Sequence, residues 1–416
     1  MLALFGFIVG CATRKSAPTQ PSIKALSIQK LGDNHFSGFL VVDPQSNDTL
    51  FKHNEQKYFT PASNVKIFTL YMGMKLLPER IPTFRHLERN DTLYLEGTGD
   101  PTFLHPEFNG DAAVSFLKSK KNIALHLDNY LDGRYRPGWA WEDYDAYFSP
   151  EIGSLPLYGN VVTITQKDSL QVAPDFFKEN TFRGKAERLR DERKNLFYLP
   201  YTLDTLRIPY ITRANLTQKL LQTHVKAEIA IIDSFPIGKK ETFYSVPTDS
   251  VLKKMMFESD NFLAEQLALV ASSQISDTLS FKTAKEYVLE EYLSGLVQMP
   301  RWVDGSGLSR YNLFTPESMV QVLAKLHAEF SKERLFSLFP YWNENGTIKK
   351  SNGIAEEHFI IAKSGSLGNN YNLSGYLITK SGRILIFSCM NNHFRIPSSE
   401  VKKRMQEVFE FIRDTY

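Results

Sequence analysis

The sequence predicts an α+β protein: an antiparallel sheet packed with helices, interrupted by a large α+β insertion. Three observations predict it. Residues 358–366, 372–379 and 383–390 are consecutive β-forming runs, followed by a helical stretch, 399–413, with Val401, Met405, Val408, Phe409 and Ile412 along one face. From about residue 243 two apolar-periodic segments, 248–257 and 262–272, read as buried helices. Between about 81 and 242 the texture differs, with short strands, short helices and loops rich in Pro, Gly and Trp.

Composition narrows the function before any motif is read. At 416 residues the chain can bury a large core and fold as two or more units. A hydrophobic fraction of 42% with 13% aromatics excludes a disordered bulk. The net charge of +3 and the lack of dense basic clustering argue against a nucleic-acid partner. The histidines are scattered with no His-x-x-x-His or paired Cys spacing, so no protein-bound metal is expected.

In chain order, residues 2–10 form an apolar run too short to span a bilayer but suited to the core of a signal peptide. It ends in Ile8-Val9-Gly10-Cys11, which resembles the bacterial lipobox, although no Lys or Arg precedes the run. That resemblance implies lipidation of Cys11, with residues 12–26 as a tether. Cys389 then has no partner for an internal disulfide, and its apolar surroundings read as core. Residues 36–42 and 49–51 flank a turn-rich segment and read as a β-hairpin. Within the insertion, 92–95, 123–127, 161–165 and 169–172 read as strands, and 111–118 and 215–223 as helices. The loop Arg136-Pro137-Gly138-Trp139-Ala140-Trp141 suits packing between modules. The boundaries expected are 1–26 for leader and tether, 27–80 with 243–416 for the main domain, and 81–242 for the insertion.

The chain is organised around Thr60-Pro61-Ala62-Ser63-Asn64-Val65-Lys66. Thr60 is a good helix N-cap and Pro61 suits the first helical position, which would set Ser63 in the first turn. Lys66 follows at i+3, on the same face. A neutral lysine can serve as the base that activates a serine. Its pKa must then fall from about 10.4 to near 7, a cost of about 4 kcal/mol, through burial or a second cation. Ser-x-x-Lys recurs at Ser27, Ser115, Ser250 and Ser399, so the pattern alone proves little. Ser259-Asp260-Asn261 separates the two buried helices and, alone, reads as a C-cap followed by an N-cap. Asp304-Gly305-Ser306-Gly307-Leu308-Ser309-Arg310 implies a tight backbone path that braces its surroundings. Thr315-Pro316 starts a further helix reaching about Phe330. Lys-Ser-Gly occurs twice. At Lys380 it lies between two apolar strands and reads as a hairpin turn, whereas at Lys363 it ends a strand, where a lysine, a hydroxyl and a backbone N–H can face one ligand.

In series, Ser63/Lys66, Ser259/Asn261 and Lys363-Ser364-Gly365 match the ordered signature of serine penicillin-recognising enzymes. The chain more narrowly resembles the class C low-molecular-mass penicillin-binding proteins, the D-Ala-D-Ala carboxypeptidase/endopeptidase family. Gly99-Asp100-Pro101-Thr102, Pro137-Gly138-Trp139, the Asp304 loop and the long interval between Lys66 and Ser259 carry that likeness. Ser364 stands where threonine is commoner, and it keeps the hydroxyl. The resemblance implies a β-lactamase/transpeptidase-like domain bearing the insertion, and an acyl-enzyme on Ser63 formed from peptidoglycan stem peptides. It assigns Lys66 as base, Ser259 as proton relay, and Asn261 as the group orienting Lys66 and the substrate amide. Lys363 would supply the second cation and, with Ser364, hold the terminal carboxylate, beside the small Gly365. The backbone N–H groups of Ser63 and Ser366 would form an oxyanion hole, worth about 3 kcal/mol per donor. No cofactor is implied; β-lactam antibiotics are implied as covalent inhibitors, and a lipid-anchored, periplasm-facing place in the bacterial cell envelope. A β-lactamase or esterase on the same scaffold, or an inactive wall-binding lipoprotein, are the alternatives. A Ser-His-Asp hydrolase is disfavoured, because no Gly-x-Ser-x-Gly occurs.

Overall fold

The first and last strands of the described residues are buried almost continuously and pair with each other in one sheet. The computed structural model describes residues 34–108, 111–166, 169–184, 187–200, 205–342 and 359–416. Cys11 and the expected leader and tether, residues 1–26, lie outside them. A hairpin of β1 (Phe36–Asp43) and β2 (Asp48–His53) leads to α1 (Lys66–Leu76). The insertion contributes β3 (Arg80–Arg89), β4 (Thr92–Gly97), α2 (Asp111–Lys118), β5 (Asn122–His126), β6 (Val161–Gln166) and β7 (Leu170–Ala173). It continues with β8 (Thr181–Arg183), β9 (Phe197–Leu199), β10 (Thr205–Pro209), α3 (Ala214–Gln222), β11 (Glu228–Ile232) and β12 (Glu241–Pro247). Helices α4 (Thr248–Glu258), α5 (Asn261–Ser273), α6 (Phe281–Glu291), α7 (Pro316–Glu329) and α8 (Lys332–Ser337) follow. Strands β13 (Ile360–Leu367), β14 (Asn370–Ile378) and β15 (Ile384–Asn392), then α9 (Ser398–Thr415), complete the chain.

The main sheet runs β13-β14-β15-β1-β2, antiparallel throughout, with Phe39 of β1 and Leu373 of β14 both registered on Cys389. Its two faces bury different helices. Met405, Val408, Phe409 and Ile412 of α9 pack on Phe39, Leu373, Leu385 and Phe387. Ile361, Tyr376, Ile386 and Met390 meet α1, α5 and α7 on the other face. Helix α1 is buried all round, and each fully buried large apolar side chain of this kind contributes about 1.5–3 kcal/mol. Cys389 lies in this core, where burial pushes its thiol up to about 12 and keeps it unreactive.

A second core sits in the insertion, under a mixed sheet ordered β11-β5-β4-β3-β12. Strand β4 is parallel to β5, and β5 to β11, while β3 pairs antiparallel with β4 and β12. Antiparallel β10-β6-β7 and a short parallel pair, β8-β9, form the outer part. The expected strands and helices are present with shifted ends, and the Lys380-Ser381-Gly382 turn closes the β14–β15 hairpin with Gly382 at φ +84°.

Candidate active site

The turn before α1 differs from the sequence expectation in a way that serves the site. Ser63 lies in one 3-10 turn, Ala62–Val65, and the α-helix starts at Lys66. Thr60 does not cap it. Its backbone is bonded to the sheet instead, with its N–H donating to Asn392 Oδ1 at 2.7 Å and its carbonyl accepting from Asn372 Nδ2 at 2.9 Å. Two asparagines from the sheet thus clamp the peptide leading to Ser63, and Ala62 turns at φ +49°. A non-glycine residue there is strained and persists because its surroundings hold it.

Lys66 is fully buried, and its Nζ donates to Ser63 Oγ at 3.1 Å, Asn261 Oδ1 at 2.7 Å and the Ser306 carbonyl at 2.6 Å. Burial depresses its pKa to about 8, against the opposing pull of Asp304, Asp260 and Glu265. As an ammonium it satisfies all three acceptors. As a neutral amine it keeps two N–H groups, matched by the two shorter contacts, and its lone pair faces the Ser63 hydroxyl. The arrangement can therefore take a proton from Ser63.

Ser259 and Asn261 approach from the α4–α5 junction. Ser259 is the left-handed C-cap of α4 at φ +57°, and Asp260 is the N-cap of α5, accepting from the Leu263 N–H at 2.8 Å. The capping reading of this segment and its place in the site are compatible, because the cap geometry is what turns the two side chains. Asn261 Nδ2 is fixed by the Phe148 carbonyl at 3.0 Å, so a loop of the insertion orients it.

Lys363 comes from edge strand β13 and is also fully buried, donating to Ser259 Oγ at 2.9 Å and to the Ser364 carbonyl at 2.9 Å. Asn64 Nδ2 reaches back to the Lys363 carbonyl at 2.8 Å and ties the strand to the Ser63 turn. The sequence expectation had Lys363 lowering the pKa of Lys66. That order is reversed: burial lowers Lys66, and it is Lys363 that burial and, to a lesser degree, the Lys66 charge push well below its ordinary value. Gly365 is required by closeness: a Cβ there would stand 2.4 Å from the Pro61 carbonyl oxygen. Ser364 is buried, whereas Ser366, further along β13, is exposed. Side-chain hydrogen bonds thus group the site residues in two sets, Ser63 with Lys66 and Asn261, and Ser259 with Lys363. Among the described residues no cluster of metal-ligating side chains occurs.

Four contributors were not named by sequence reasoning: the Ser306 carbonyl, the Phe148 carbonyl, and the clamps Asn372 and Asn392. A carbonyl leaves no mark in a sequence. The asparagines do, since they are polar residues inside otherwise apolar strands. The Asp304 loop braces the site, as its glycines suggest, and also supplies the Ser306 acceptor. Asp304 accepts from the Gly307 and Ser309 N–H groups, Asn312 Nδ2 and Trp139 Nε1. Gly307, at φ +83°, would place a Cβ 1.9 Å from the Ala62 carbonyl oxygen. Gly307→Ala is expected to cost roughly 2–4 kcal/mol from left-handed strain and overpacking together. Denaturant unfolding checks this, and an unchanged midpoint would refute the close approach.

Three comparisons bear on this constellation. The profile of the D-Ala-D-Ala carboxypeptidase 3 (S13) family matches residues 23–176 and 210–414. The chain is 32% identical to D-alanyl-D-alanine carboxypeptidase DacB of Haemophilus influenzae, across 96% of this chain and 95% of that one. Its fold is similar to the crystal structure of penicillin binding protein 4 (dacB) from Haemophilus influenzae, with a TM-score of 0.75. That superposition is 20% identical and covers 94% of this chain and 100% of the other. A further structure of that protein, complexed with a β-lactam, matches with a TM-score of 0.66 and 19% identity over 94% and 98% of the two chains.

Proposed function

The chain belongs to the D-Ala-D-Ala carboxypeptidase 3 (S13) family, and from that premise we propose that it is a serine-type D-Ala-D-Ala carboxypeptidase acting on peptidoglycan stem peptides. The observation that carries the reading is Lys66 Nζ at 3.1 Å from Ser63 Oγ, buried and with its pKa at about 8. Neutral Lys66 removes the Ser63 proton as Oγ attacks the carbonyl of the penultimate D-Ala. The C–N bond then breaks, terminal D-Ala leaves with a proton relayed through Ser259, and water later hydrolyses the ester. Lys363, Ser364 and Gly365 form the wall that receives the terminal carboxylate, and the N–H groups of Ser63 and Ser366 receive the oxyanion. Asn261 holds Lys66 and the substrate amide.

Digestion of purified peptidoglycan checks the reaction. Free D-alanine from pentapeptide stems is the expected product, and split D-Ala–diaminopimelate cross-links would extend it to endopeptidase action. Intact stems after prolonged digestion, with the enzyme still binding the wall, would overturn the proposal in favour of an inactive binding protein. β-Lactams are expected to acylate Ser63 and to leave slowly; rapid release of penicilloate would instead assign a β-lactamase. Lipidation of Cys11 and a periplasm-facing anchor are proposed from the Ile8-Val9-Gly10-Cys11 sequence. Fatty-acid labelling of the cells should mark the wild type and not Cys11→Ser; equal labelling of both would refute the anchor.

A further inference from the structure

Behind Lys66 lies a chain of contacts that ends in the insertion. The Ser306 carbonyl accepts from Lys66, and the N–H of the same residue donates to Glu265 Oε1 at 2.8 Å. Glu265 sits four residues after Asn261 on α5, so one helix face carries both supports of the amine. Its other oxygen accepts from Arg136 Nε at 2.9 Å, and Arg136 Nη1 donates to Asp132 Oδ2 at 2.5 Å. All of these groups are buried except Asp132, which is partly so. Around them the same insertion loop grips the Asp304 turn, through Trp139 Nε1 to Asp304 Oδ2 at 2.9 Å and Ser309 Oγ to the Pro137 carbonyl at 2.6 Å.

We propose that Glu265 and Arg136 are positioning residues for the acylation step, acting on Lys66 through the backbone of Ser306, and that the insertion thereby sets the geometry and charge of the base. The inference rests on the reading of Lys66 as that base. Two separable effects follow. The bond from the Ser306 N–H to Glu265 anchors residue 306 from one side. The carbonyl of the same residue, in the next peptide unit, accepts from Lys66, so the position of the Lys66 acceptor depends on that anchor. The Glu265 charge, with Asp304 and Asp260, opposes burial and holds the Lys66 pKa up. Burial and Asp304 raise the Glu265 carboxyl itself; Arg136 and the Ser306 side chain favour its ionised form.

Two substitutions divide reach from charge. Glu265→Gln keeps an oxygen for the Ser306 N–H and loses the charge. Glu265→Asp keeps the charge and is one methylene too short. The full chain is labelled with a fluorescent penicillin over a range of pH, and binding is separated from the acylation rate. Glu265→Gln should move the acid limb of acylation down by about half a pH unit or more, because a cation loses a neighbouring anion. Glu265→Asp should leave the limb in place and lower the limiting rate by about 10-fold or more, with penicillin affinity unchanged. Folded content is checked by circular dichroism, and if both variants fail to fold, Arg136→Lys is read the same way, with a lowered limiting rate expected. Folded variants with the wild-type limb and limiting rate would overturn the coupling. Lys66→Met separates this from the parent reading: if it acylates normally the base assignment itself falls, and if it is dead while the Glu265 variants behave as wild type only the coupling does.

Discussion

Ser63→Ala is expected to abolish covalent labelling by penicillin and to lower D-alanine release by at least about 10⁴-fold, since a nucleophile acting with its base is lost as a unit. The fold should survive. Ser63 is half-buried, and its Oγ accepts one hydrogen bond, from Lys66, so the stability change should stay within about 1 kcal/mol. Mass spectrometry of the penicillin-treated protein gives the answer directly. Wild type gains one penicilloyl mass on the peptide containing Ser63, and the variant gains none. Labelling of the variant at any other serine, including those of the four other Ser-x-x-Lys pairs, would remove Ser63 from the mechanism. The reason to expect otherwise is positional: Ser63 combines a buried lysine with a backbone clamped at Thr60, just before it.

Lys66→Met should act on activity and stability in different directions of pH. Loss of a general base lowers acylation by about 10²–10⁴-fold. The stability effect follows from where the proton resides. The folded chain holds the Lys66 pKa near 8, against 10.5 for the unperturbed side chain. Between these values the unfolded state binds more protons than the folded state, so stability rises with pH across that window. Below about 8 the full penalty of the buried charge stands, and above 10.5 it is gone. The difference in unfolding free energy between wild type and Lys66→Met should therefore change by about 3 kcal/mol over the window, in favour of wild type as pH rises. Lys363 contributes a slope of the same sign to both proteins, and it weakens in the variant because Lys66 no longer pushes it down. Denaturant titrations at several pH values measure the difference. Parallel curves for the two proteins would mean that Lys66 is not a depressed, buried amine.

Much of the fold was legible because local patterns and final contacts agree. Strands β13, β14 and β15 each contain an apolar run and are separated by turn residues, and α9 keeps its apolar residues on one side. The insertion was less so. Strand β3 carries Pro82 among its paired residues, where its register with β12 shifts at Tyr244, and a proline ordinarily argues against a strand. The parallel pairings of β4, β5 and β11 could not be read, since periodicity identifies a strand and says nothing of its partner. Helix α6 had a usable signal, with Ser280 accepting from the Lys282 N–H as a cap and Phe281, Ala284 and Val288 spaced along one face. Glu265 had one as well, as a carboxylate in the middle of an apolar helix.

The residue types and their order, a serine with lysine at i+3, a capped Ser-Asp-Asn and a strand-end Lys-Ser-Gly, were settled by the sequence, because side-chain chemistry and local turn preferences are properties of a few neighbouring residues. Which groups meet was decided only by tertiary structure. Lys66 is depressed by burial that no local segment can supply, and it is aimed by the carbonyl of Ser306, a group every residue shares. Dielectric environment and backbone direction arise when distant elements pack, so they are absent from any stretch of chain read alone.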